Sequence, residues 1–259
     1  MCPRVGNYGE SSMTEKPTIT VVADYDAMSL AAADRVADVV SRYPEGAITI
    51  PTGSTPVGMY TELARRINAG ELDFSRVQIF CLDEYLGVTP EDPAALTKLL
   101  LRDFLVPANI NLDNVHFIPS TAADPAKAAQ EYDDAVKAAG GLKIAVIGLG
   151  PNGHVGFNEP GSGPETRTRI VNLTRESRDQ NAHYYEGATI PEQAMSMGIG
   201  TILESEKIVM IVNGTAKAEI VKEMVEGPMT NDLPGSWLGL AGSRAELIVD
   251  TSAAAFLES

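Results

Sequence analysis

Short apolar runs rich in β-branched residues alternate with helical patterns along this chain, and this alternation limits the folds it can adopt. The candidate strands lie at residues 19–23, 47–51, 78–82, 116–118, 143–147, 207–212 and 246–249. The candidate helices lie at residues 28–43, 55–69, 94–104, 125–139, 216–226 and 235–241, with Asp26, Pro93 and Asp124 near three of their starts. Strands that alternate with helices pair in parallel through crossovers. The chain is therefore predicted to be α/β, with a mainly parallel twisted sheet and helices on both faces.

The length and composition limit the number of domains, the location and the partners expected for this protein. A length of 259 residues with 44% hydrophobic content fits one domain, placed at residues 17–259 after a loose tail of residues 1–16. The tail lacks the apolar stretch of a secretory signal, and no apolar run approaches the ~20 residues of a membrane span. Cys2 and Cys81 are the only cysteines, which favours a reducing cytoplasm. A net charge of −15 without a basic patch argues against a nucleic-acid partner.

A polar turn, Pro-Thr-Gly-Ser-Thr-Pro, occupies residues 51–56 between a predicted strand and a predicted helix. Thr55 and Pro56 fit a helix cap followed by a proline in the first turn. Gly53 allows the backbone to approach a ligand closely, and Ser54 adds a hydroxyl donor. The turn is a candidate anion-binding loop, and an ordinary capped turn is the alternative on these residues alone.

Two carboxylates, Asp83 and Glu84, fall where another apolar strand ends, in the sequence Leu-Asp-Glu-Tyr at residues 82–85. A carboxylate at such a strand end loses contact with water, which prepares it to act as a base. A helix cap or an ordinary turn carboxylate is the structural alternative for each of them.

The most unusual segment, residues 148–161, reads Gly-Leu-Gly-Pro-Asn-Gly-His-Val-Gly-Phe-Asn-Glu-Pro-Gly and follows a predicted buried strand. It carries His154 and Glu159, and an imidazole with a carboxylate at the carboxyl edge of a sheet indicates acid–base chemistry. Its first glycines match the spacing of a dinucleotide fingerprint. Pro151 and the run after it do not open a helix, however, which argues against a nicotinamide cofactor.

Because each of the three polar segments follows a strand, we expect them to converge on one crevice. The three histidines, His116, His154 and His183, have no metal-site spacing, so no metal is expected. A serine nucleophile is also disfavoured, because the sequence has no Gly-x-Ser-x-Gly motif.

These segments, in this order and at these separations, resemble the glucosamine-6-phosphate deaminase family. The matching stretches are residues 51–56, 82–85, 152–160, 166–169 (Thr-Arg-Thr-Arg) and 214–217 (Gly-Thr-Ala-Lys). Related 6-phosphogluconolactonases share the fold but lack the Phe-Asn-Glu-Pro found here at residues 157–160. The resemblance implies a Rossmann-like fold and an isomerising deamination of glucosamine 6-phosphate to fructose 6-phosphate and ammonium, with no cofactor.

Carried over by position, the resemblance implies a role for individual residues. Asp83 would be the base that moves a proton between C2 and C1 of the sugar. His154 would open the sugar ring, with Glu159 and Asn152 completing the ring-opening group. The residues that bind the substrate would be Thr52, Gly53, Ser54, Thr55, Lys217 and His183.

Two of these positions depart from the family pattern. Asn152 stands where the best-known members have an aspartate, and its amide can accept a hydrogen bond from His154 but adds no negative charge. His183 stands where the family has an arginine that contacts phosphate, which weakens the expected phosphate site. Arg178, nearby in sequence, is a candidate substitute. Galactosamine 6-phosphate or another amino-sugar phosphate is therefore an alternative substrate.

Some members of the family are hexamers activated by N-acetylglucosamine 6-phosphate at a subunit contact. Arg169 and Ser162 match that contact but Val171 replaces a lysine, so we expect no such activation, and formation of a homo-oligomer stays open. Two other functions also stay open. One is a 6-phosphogluconolactonase-type hydrolase, which would not need Asp83 as a base, and the other is a non-catalytic sensor of a sugar phosphate.

Overall fold

Ten strands and seven α-helices form the regular structure of residues 16–181 and 190–258, the part of the chain described by a computed structural model. The strands are β1 (Thr18–Val22), β2 (Ala47–Ile50), β3 (Gln78–Cys81), β4 (Asp83–Tyr85), β5 (Val115–His116), β6 (Leu142–Gly148), β7 (Arg169–Asn172), β8 (Gln193–Ser196), β9 (Ile208–Val212) and β10 (Ala245–Asp250). The helices are α1 (Tyr25–Arg42), α2 (Val57–Asn68), α3 (Leu96–Leu100), α4 (Pro125–Ala138), α5 (Arg175–Asn181), α6 (Ile199–Leu203) and α7 (Ala218–Glu226).

Seven of the strands pair in parallel in the order β1-β10-β9-β6-β2-β3-β5. Strands β2, β9 and β10 are buried along their whole length, as expected for a parallel sheet covered on both faces. Right-handed crossovers place α1, α2 and α3 on one face and α4, α6 and α7 on the other. The predicted α/β class is confirmed, and each of the seven predicted strands overlaps a strand of this sheet.

The chain reverses its direction across the sheet between β2 and β6, which are neighbours. The connections that leave β2 and β3 move toward the β5 edge, whereas those that leave β6 and β9 move toward the β1 edge. Neighbouring strands whose connections pass to opposite faces leave a crevice at their carboxyl ends, and ligands of α/β proteins bind there. The topology therefore places the site between the loops that follow β2 and β6.

A second, antiparallel sheet of three short strands, β4-β8-β7, was not predicted. Its strands have three or four residues each, too few for a period-2 pattern to stand out. Asp83 in β4 and Arg169 in β7 both pair with Ser196 in β8. This sheet links the carboxyl end of β3 to the segment that leads into α5.

Several predicted helix starts are wrong, while the start of α4 is confirmed because Asp124 accepts a hydrogen bond from the Lys127 amide. The cap of α1 is Asp24, which accepts from the Ala27 amide, and Asp26 lies inside the first turn. The cap position of α2 is Pro56, with no side-chain cap, so Thr55 does not cap this helix.

The other helix corrections concern geometry. The segment predicted at 94–104 is α3 followed by a π-helical turn at Leu101–Leu105. The segment predicted at 216–226 starts with a 3-10 turn, Thr215–Lys217, before α7, and the last predicted helix is a 3-10 segment, Pro234–Arg244. None of the helices within the described residues has the length and apolar character that a membrane crossing requires.

Candidate active site

A crevice of about 270 Å³ opens at the carboxyl ends of β2, β3, β6 and β9. Residues 51–56 form one wall, and Asp83, His154 and Lys217 line the rest together with the glycines after β6. The predicted convergence of three polar segments on one crevice is therefore confirmed. Asn152 and Glu159 do not line the crevice but lie behind His154.

Asp83 is the first residue of β4, and only 8% of it is exposed. Among the described residues, none donates a hydrogen bond to its carboxylate. Burial raises the pKa of Asp83 to about 7, and the neighbouring charge of Glu84 adds to this increase. A carboxyl group with this pKa can take up a proton and return it near neutral pH.

Glu84 has a structural role, so the alternative of a helix cap is confirmed for this carboxylate. It is buried and accepts hydrogen bonds from the amides of Tyr85 at 2.8 Å, Leu96 at 2.9 Å and Thr97 at 2.8 Å. Two of these amides belong to the first turn of α3, which otherwise has no side-chain cap at Ala95. The carboxylate explains why α3 starts at Leu96 and not at the predicted proline, and it holds this wall of the crevice in place.

His154 is almost buried, with 12% of its side chain exposed. Its Nδ1 atom lies 3.2 Å from Oγ of Ser177 and 3.7 Å from Oε2 of Glu159. Burial lowers the pKa of His154 to about 4; the Glu159 carboxylate opposes this decrease and the Lys217 ammonium adds to it. The imidazole is therefore neutral at pH 7, with one protonated and one unprotonated nitrogen.

Asn152 does not orient the imidazole of His154, so the hydrogen bond predicted between these side chains is wrong. Its Oδ1 accepts from the backbone amide of His154 at 3.2 Å, and its Nδ2 donates to Oε2 of Glu159 at 3.0 Å. Glu159 also accepts from the backbone amide of Thr174 at 3.3 Å. Asn152 therefore fixes the loop backbone and the Glu159 carboxylate, which in turn faces the ring.

Two glycines of the long loop leave room for the side chains of His154 and Asp83 beside them. A Cβ atom on Gly150 would lie 2.3 Å from Nε2 of His154, so the imidazole occupies the space of a side chain at that position. Gly156 has φ +57°, and a Cβ there would lie 3.2 Å from Oδ2 of Asp83. Of the glycines that imitate a dinucleotide fingerprint, Gly150 thus serves the close packing of the imidazole, whereas a Cβ on Gly153 would meet Leu233.

The predicted anion-binding side of the crevice combines the turn after β2 with Lys217. Gly53 adopts φ +111°, which a side chain would strain. Nζ of Lys217 donates to the carbonyl oxygen of Leu149 at 2.7 Å, and burial lowers the pKa of Lys217 to about 8. Lys217 remains mostly cationic at pH 7 and is suited to bind a phosphate.

Tyr25 connects the turn after β2 to the first turn of α2, although nothing in the sequence marked it as part of the site. Its hydroxyl donates to the carbonyl oxygen of Ser54 at 3.2 Å and accepts from the amide of Gly58, in the first turn of α2, at 2.8 Å. These two hydrogen bonds hold the anion-binding loop against α1.

Other predicted residues are placed as follows. His183 lies outside the described residues. Arg178, the candidate substitute for the missing arginine, is paired with Glu192 at 3.3 Å and is not among the described residues that line the crevice. Arg169 donates to Oγ of Ser162 at 2.8 Å, so the two residues that match the family's activator contact are neighbours. Across the described ranges, no three His, Cys, Asp or Glu side chains are grouped so that they could hold a metal ion.

Two hydroxyl side chains behind His154, Thr174 and Ser177, were missed. The backbone amide of Ser177 donates to Oγ1 of Thr174 at 3.2 Å, which is the pattern of a helix cap at the start of α5. A threonine just before a helix is a recognisable cap residue, but it does not indicate that the cap contacts His154.

A buried strand-end carboxylate, a neutral imidazole and a lysine around a switch-point crevice define an α/β enzyme that binds a small anionic ligand. The chain belongs to the family of glucosamine-6-phosphate isomerases and 6-phosphogluconolactonases, whose family model matches residues 23–248. It is 40% identical over 227 residues to a glucosamine-6-phosphate deaminase of Arthrobacter sp. (strain FB24), covering 87% of each chain. It is 38% identical over 242 residues to one of Streptomyces avermitilis, covering 93% of this chain and 92% of the relative.

Solved structures agree with this assignment. A monomeric glucosamine-6-phosphate deaminase superposes with a TM-score of 0.88 at 31% identity, over 93% of this chain and all of that one (100%). A 6-phosphogluconolactonase from Trypanosoma cruzi superposes with a TM-score of 0.76 at 16% identity, over 95% of this chain and 99% of that one, which shows a shared fold alone.

Proposed function

We propose that this protein converts glucosamine 6-phosphate and water to fructose 6-phosphate and ammonium. The observation that carries the proposal is that Asp83, with a pKa of about 7, and a neutral His154 face one crevice beside Lys217 and residues 51–56. The name shared by relatives 35–40% identical over most of the chain supports the same substrate.

Ring opening is the first step that this geometry supports. Neutral His154 takes the proton of the anomeric hydroxyl and delivers it to the ring oxygen, as the bond between C1 and the ring oxygen breaks and C1 becomes an aldehyde. The Glu159 carboxylate, 3.7 Å from Nδ1, stabilises the imidazolium that forms in between. Lys217 and the turn after β2 hold the phosphate, which lowers the entropic barrier.

Isomerisation and deamination follow at C1 and C2. Asp83 removes the C2 proton of the aldehyde while the aldehyde oxygen takes up a proton from water, which gives an enolamine. Asp83 then returns its proton to C1 as the nitrogen releases one to water, which leaves a C1 hydroxyl and an imine at C2. Water adds to this imine, and the bond between C2 and nitrogen breaks to release ammonium and the ketose phosphate. A carboxyl group with a pKa near neutrality suits both directions of this proton transfer.

The test is ammonia release by the purified protein from glucosamine 6-phosphate, with galactosamine 6-phosphate and a 6-phosphogluconolactone assayed alongside. We expect ammonia from the gluco sugar and no lactone hydrolysis. Lactone hydrolysis without ammonia release would replace the proposal with a hydrolase. Binding of the sugar phosphate without turnover would replace it with a sensor, and ammonia from the galacto sugar alone would change the substrate.

Replacing Asn152 with aspartate is expected to move the acid limb of the profile of kcat/KM against pH to higher pH and to make it steeper. The new carboxylate would stand near Glu159 and behind His154, so its charge raises the pKa of the imidazole toward that of Asp83. Asp83 and His154 must then both be unprotonated for activity, and they lose their protons over the same pH range. The profile would be measured from about pH 5 to pH 9. Asn172→Asp, the same change at an exposed position of β7, is the control, and an unchanged profile in Asn152→Asp would remove Asn152 from the ring-opening group.

Replacing Tyr25 with phenylalanine is expected to raise KM for the sugar phosphate about three- to tenfold while kcat changes little, which is the loss of one or two hydrogen bonds. The hydroxyl holds the anion-binding turn at Ser54 and Gly58 and does not face the reacting carbons. Steady-state kinetics at pH 8 measure the effect. Tyr43→Phe, at the opposite end of α1, is the matched control, and an equal rise in KM there would contradict the assigned role.

We further propose that the protein works in the cytoplasm, and a homo-oligomer and a monomer are the two alternatives for its assembly. The buried thiol of Cys81, which has no disulfide partner among the described residues, supports a reducing compartment. The monomeric deaminase that superposes on this chain is a precedent for the monomer. Light scattering on the eluting protein decides between them.

A further inference from the structure

The hydroxyl groups of Ser177, in α5, and of Thr174, the residue before this helix, connect His154 to Glu159. Ser177 is 1% exposed, and its Oγ lies 3.2 Å from Nδ1 of His154. Oγ1 of Thr174 lies 3.1 Å from Oγ of Ser177 and 3.3 Å from Oε2 of Glu159. Each neighbouring pair of polar atoms from the imidazole to the carboxylate is therefore within hydrogen-bond distance.

The backbone holds these hydroxyl groups in place. Thr174 caps α5 by accepting a hydrogen bond from the amide of Ser177 at 3.2 Å, so the helix start itself places the two oxygens side by side. The amide of Thr174 donates to Oε1 of Glu159 at 3.3 Å, which anchors the other end. The arrangement is part of the helix cap and does not depend on the rotamer of a long side chain.

Counting protons decides the direction of this chain of hydrogen bonds. The three contacts need three protons, one for each contact. A carboxylate is an acceptor only, and Thr174 and Ser177 have one hydroxyl proton each. Thr174 has one proton for two possible acceptors, Glu159 and Ser177. When it donates to Glu159, Ser177 must donate to Thr174, and the third proton then belongs to Nδ1 of His154. If Ser177 donated to Nδ1 of His154 instead, Thr174 would have one proton for two contacts. Its oxygen would then face that of Ser177 or that of Glu159 without a proton between them.

We propose that Ser177 and Thr174 are positioning residues that hold neutral His154 with its proton on Nδ1, which leaves Nε2 as the proton acceptor in the crevice. Nε2 lies over Gly150, a residue of the crevice lining, on the side of the ring away from Ser177. The inference rests on the ring-opening role proposed for His154. It gives α5 a function in that step, because the cap of this helix selects the tautomer that can take the anomeric proton.

The charges around the ring act on its protonation in opposite directions. Glu159 favours the imidazolium and Lys217 disfavours it, and replacing Ser177 or Thr174 removes neither of these charges. Removing either hydroxyl therefore changes the tautomer and the orientation of the ring while its charged neighbours are kept.

The direct test is ¹⁵N NMR of the imidazole in the free protein at pH 8, labelled at histidine, with His154 assigned from a His154→Gln sample. Nδ1 of His154 is expected to be protonated in the wild type, and this preference is expected to be lost in Ser177→Ala and in Thr174→Val. Thr174→Ser keeps the hydroxyl, and Ser205→Ala removes another buried serine hydroxyl, one that has no partner among the described residues. Both of these variants are expected to match the wild type. A wild-type proton on Nε2, or a tautomer that is the same in all five proteins, would overturn the proposal.

The kinetic test uses the same variants with glucosamine 6-phosphate. In Ser177→Ala and Thr174→Val, kcat is expected to fall at least about tenfold with KM nearly unchanged. The loss stays below the ~10⁴-fold effect of a catalytic histidine locked in the wrong tautomer, because Glu159 remains nearby. Unchanged kcat in Ser177→Ala would overturn the positioning role. A wild-type protein that releases no ammonia would instead refute the proposed function, whereas the NMR result, obtained without substrate, would still decide the tautomer.

Discussion

Replacing Asp83 with asparagine is expected to lower kcat for ammonia release by about 10²- to 10⁴-fold, the range for loss of a positioned general base. The amide has nearly the shape of the carboxyl group but cannot take the C2 proton. The role proposed for Asp83 is in proton transfer, whereas phosphate binding is assigned to residues 51–56 and Lys217, so KM is expected to change little. The measurement is steady-state ammonia release at pH 8, where most Asp83 in the wild type is ionised.

The matched control is Asp133→Asn, the same change at a buried aspartate outside the crevice. Asp133 accepts hydrogen bonds from the backbone amide of Thr168 at 3.1 Å and from Oγ1 of Thr201 at 3.1 Å, so its role is structural. Its replacement is expected to cost about 1–3 kcal/mol of stability and to leave kcat of the folded protein close to the wild-type value. If Asp83→Asn kept more than about a tenth of the wild-type kcat, Asp83 would not be the base.

The same Asp83→Asn variant is expected to be more stable than the wild type above pH 7, by up to roughly 4 kcal/mol. Burial raises the pKa of Asp83 to about 7, whereas an unfolded chain has an aspartate pKa of about 3.9. The folded state therefore binds the proton more tightly than the unfolded state does. The contribution of this group to stability is fully present below pH 4 and is lost as the pH rises through 7. Asparagine carries no charge at any pH and avoids this loss.

Thermal unfolding at pH 8 and at pH 4 measures this effect. We expect Tm of Asp83→Asn to exceed that of the wild type by about 10 °C at pH 8 and by little at pH 4, using about 2–4 °C per kcal/mol for a domain of this size. Asp133→Asn should lower Tm at both pH values, because it loses hydrogen-bond acceptance and not an unfavourable charge. A lower Tm for Asp83→Asn at pH 8 would mean that the folded protein stabilises the Asp83 carboxylate.

Much of the fold and part of the site follow from local patterns in this chain. The seven strands of the parallel sheet are recognisable because each is a short apolar run bounded by polar turns. Asp83 and His154 were found because each follows such a strand, and polar residues at that edge of a sheet have few structural uses. Strands β4, β7 and β8 were missed because three or four residues carry too little periodicity, and their pairing depends on segments far apart in the chain.

The role of each polar residue in the site depended on contacts between segments distant in sequence. Asp83 and Glu84 are adjacent carboxylates of equal promise in the sequence, yet β4 turns one into the crevice and the other toward the amides of α3. Asn152 was expected to bind the imidazole and instead binds a backbone amide and Glu159.

The local sequence thus determines the strands, the polar turns that follow them and the residue types available for chemistry, because these depend on the periodicity and conformational preferences of neighbouring residues. Only the tertiary structure decides which carboxylate lines the crevice, how far its pKa rises and which hydroxyl groups face His154. Those properties arise from burial and from hydrogen bonds such as that between Ser177 and His154, 23 residues apart, and no local pattern contains them.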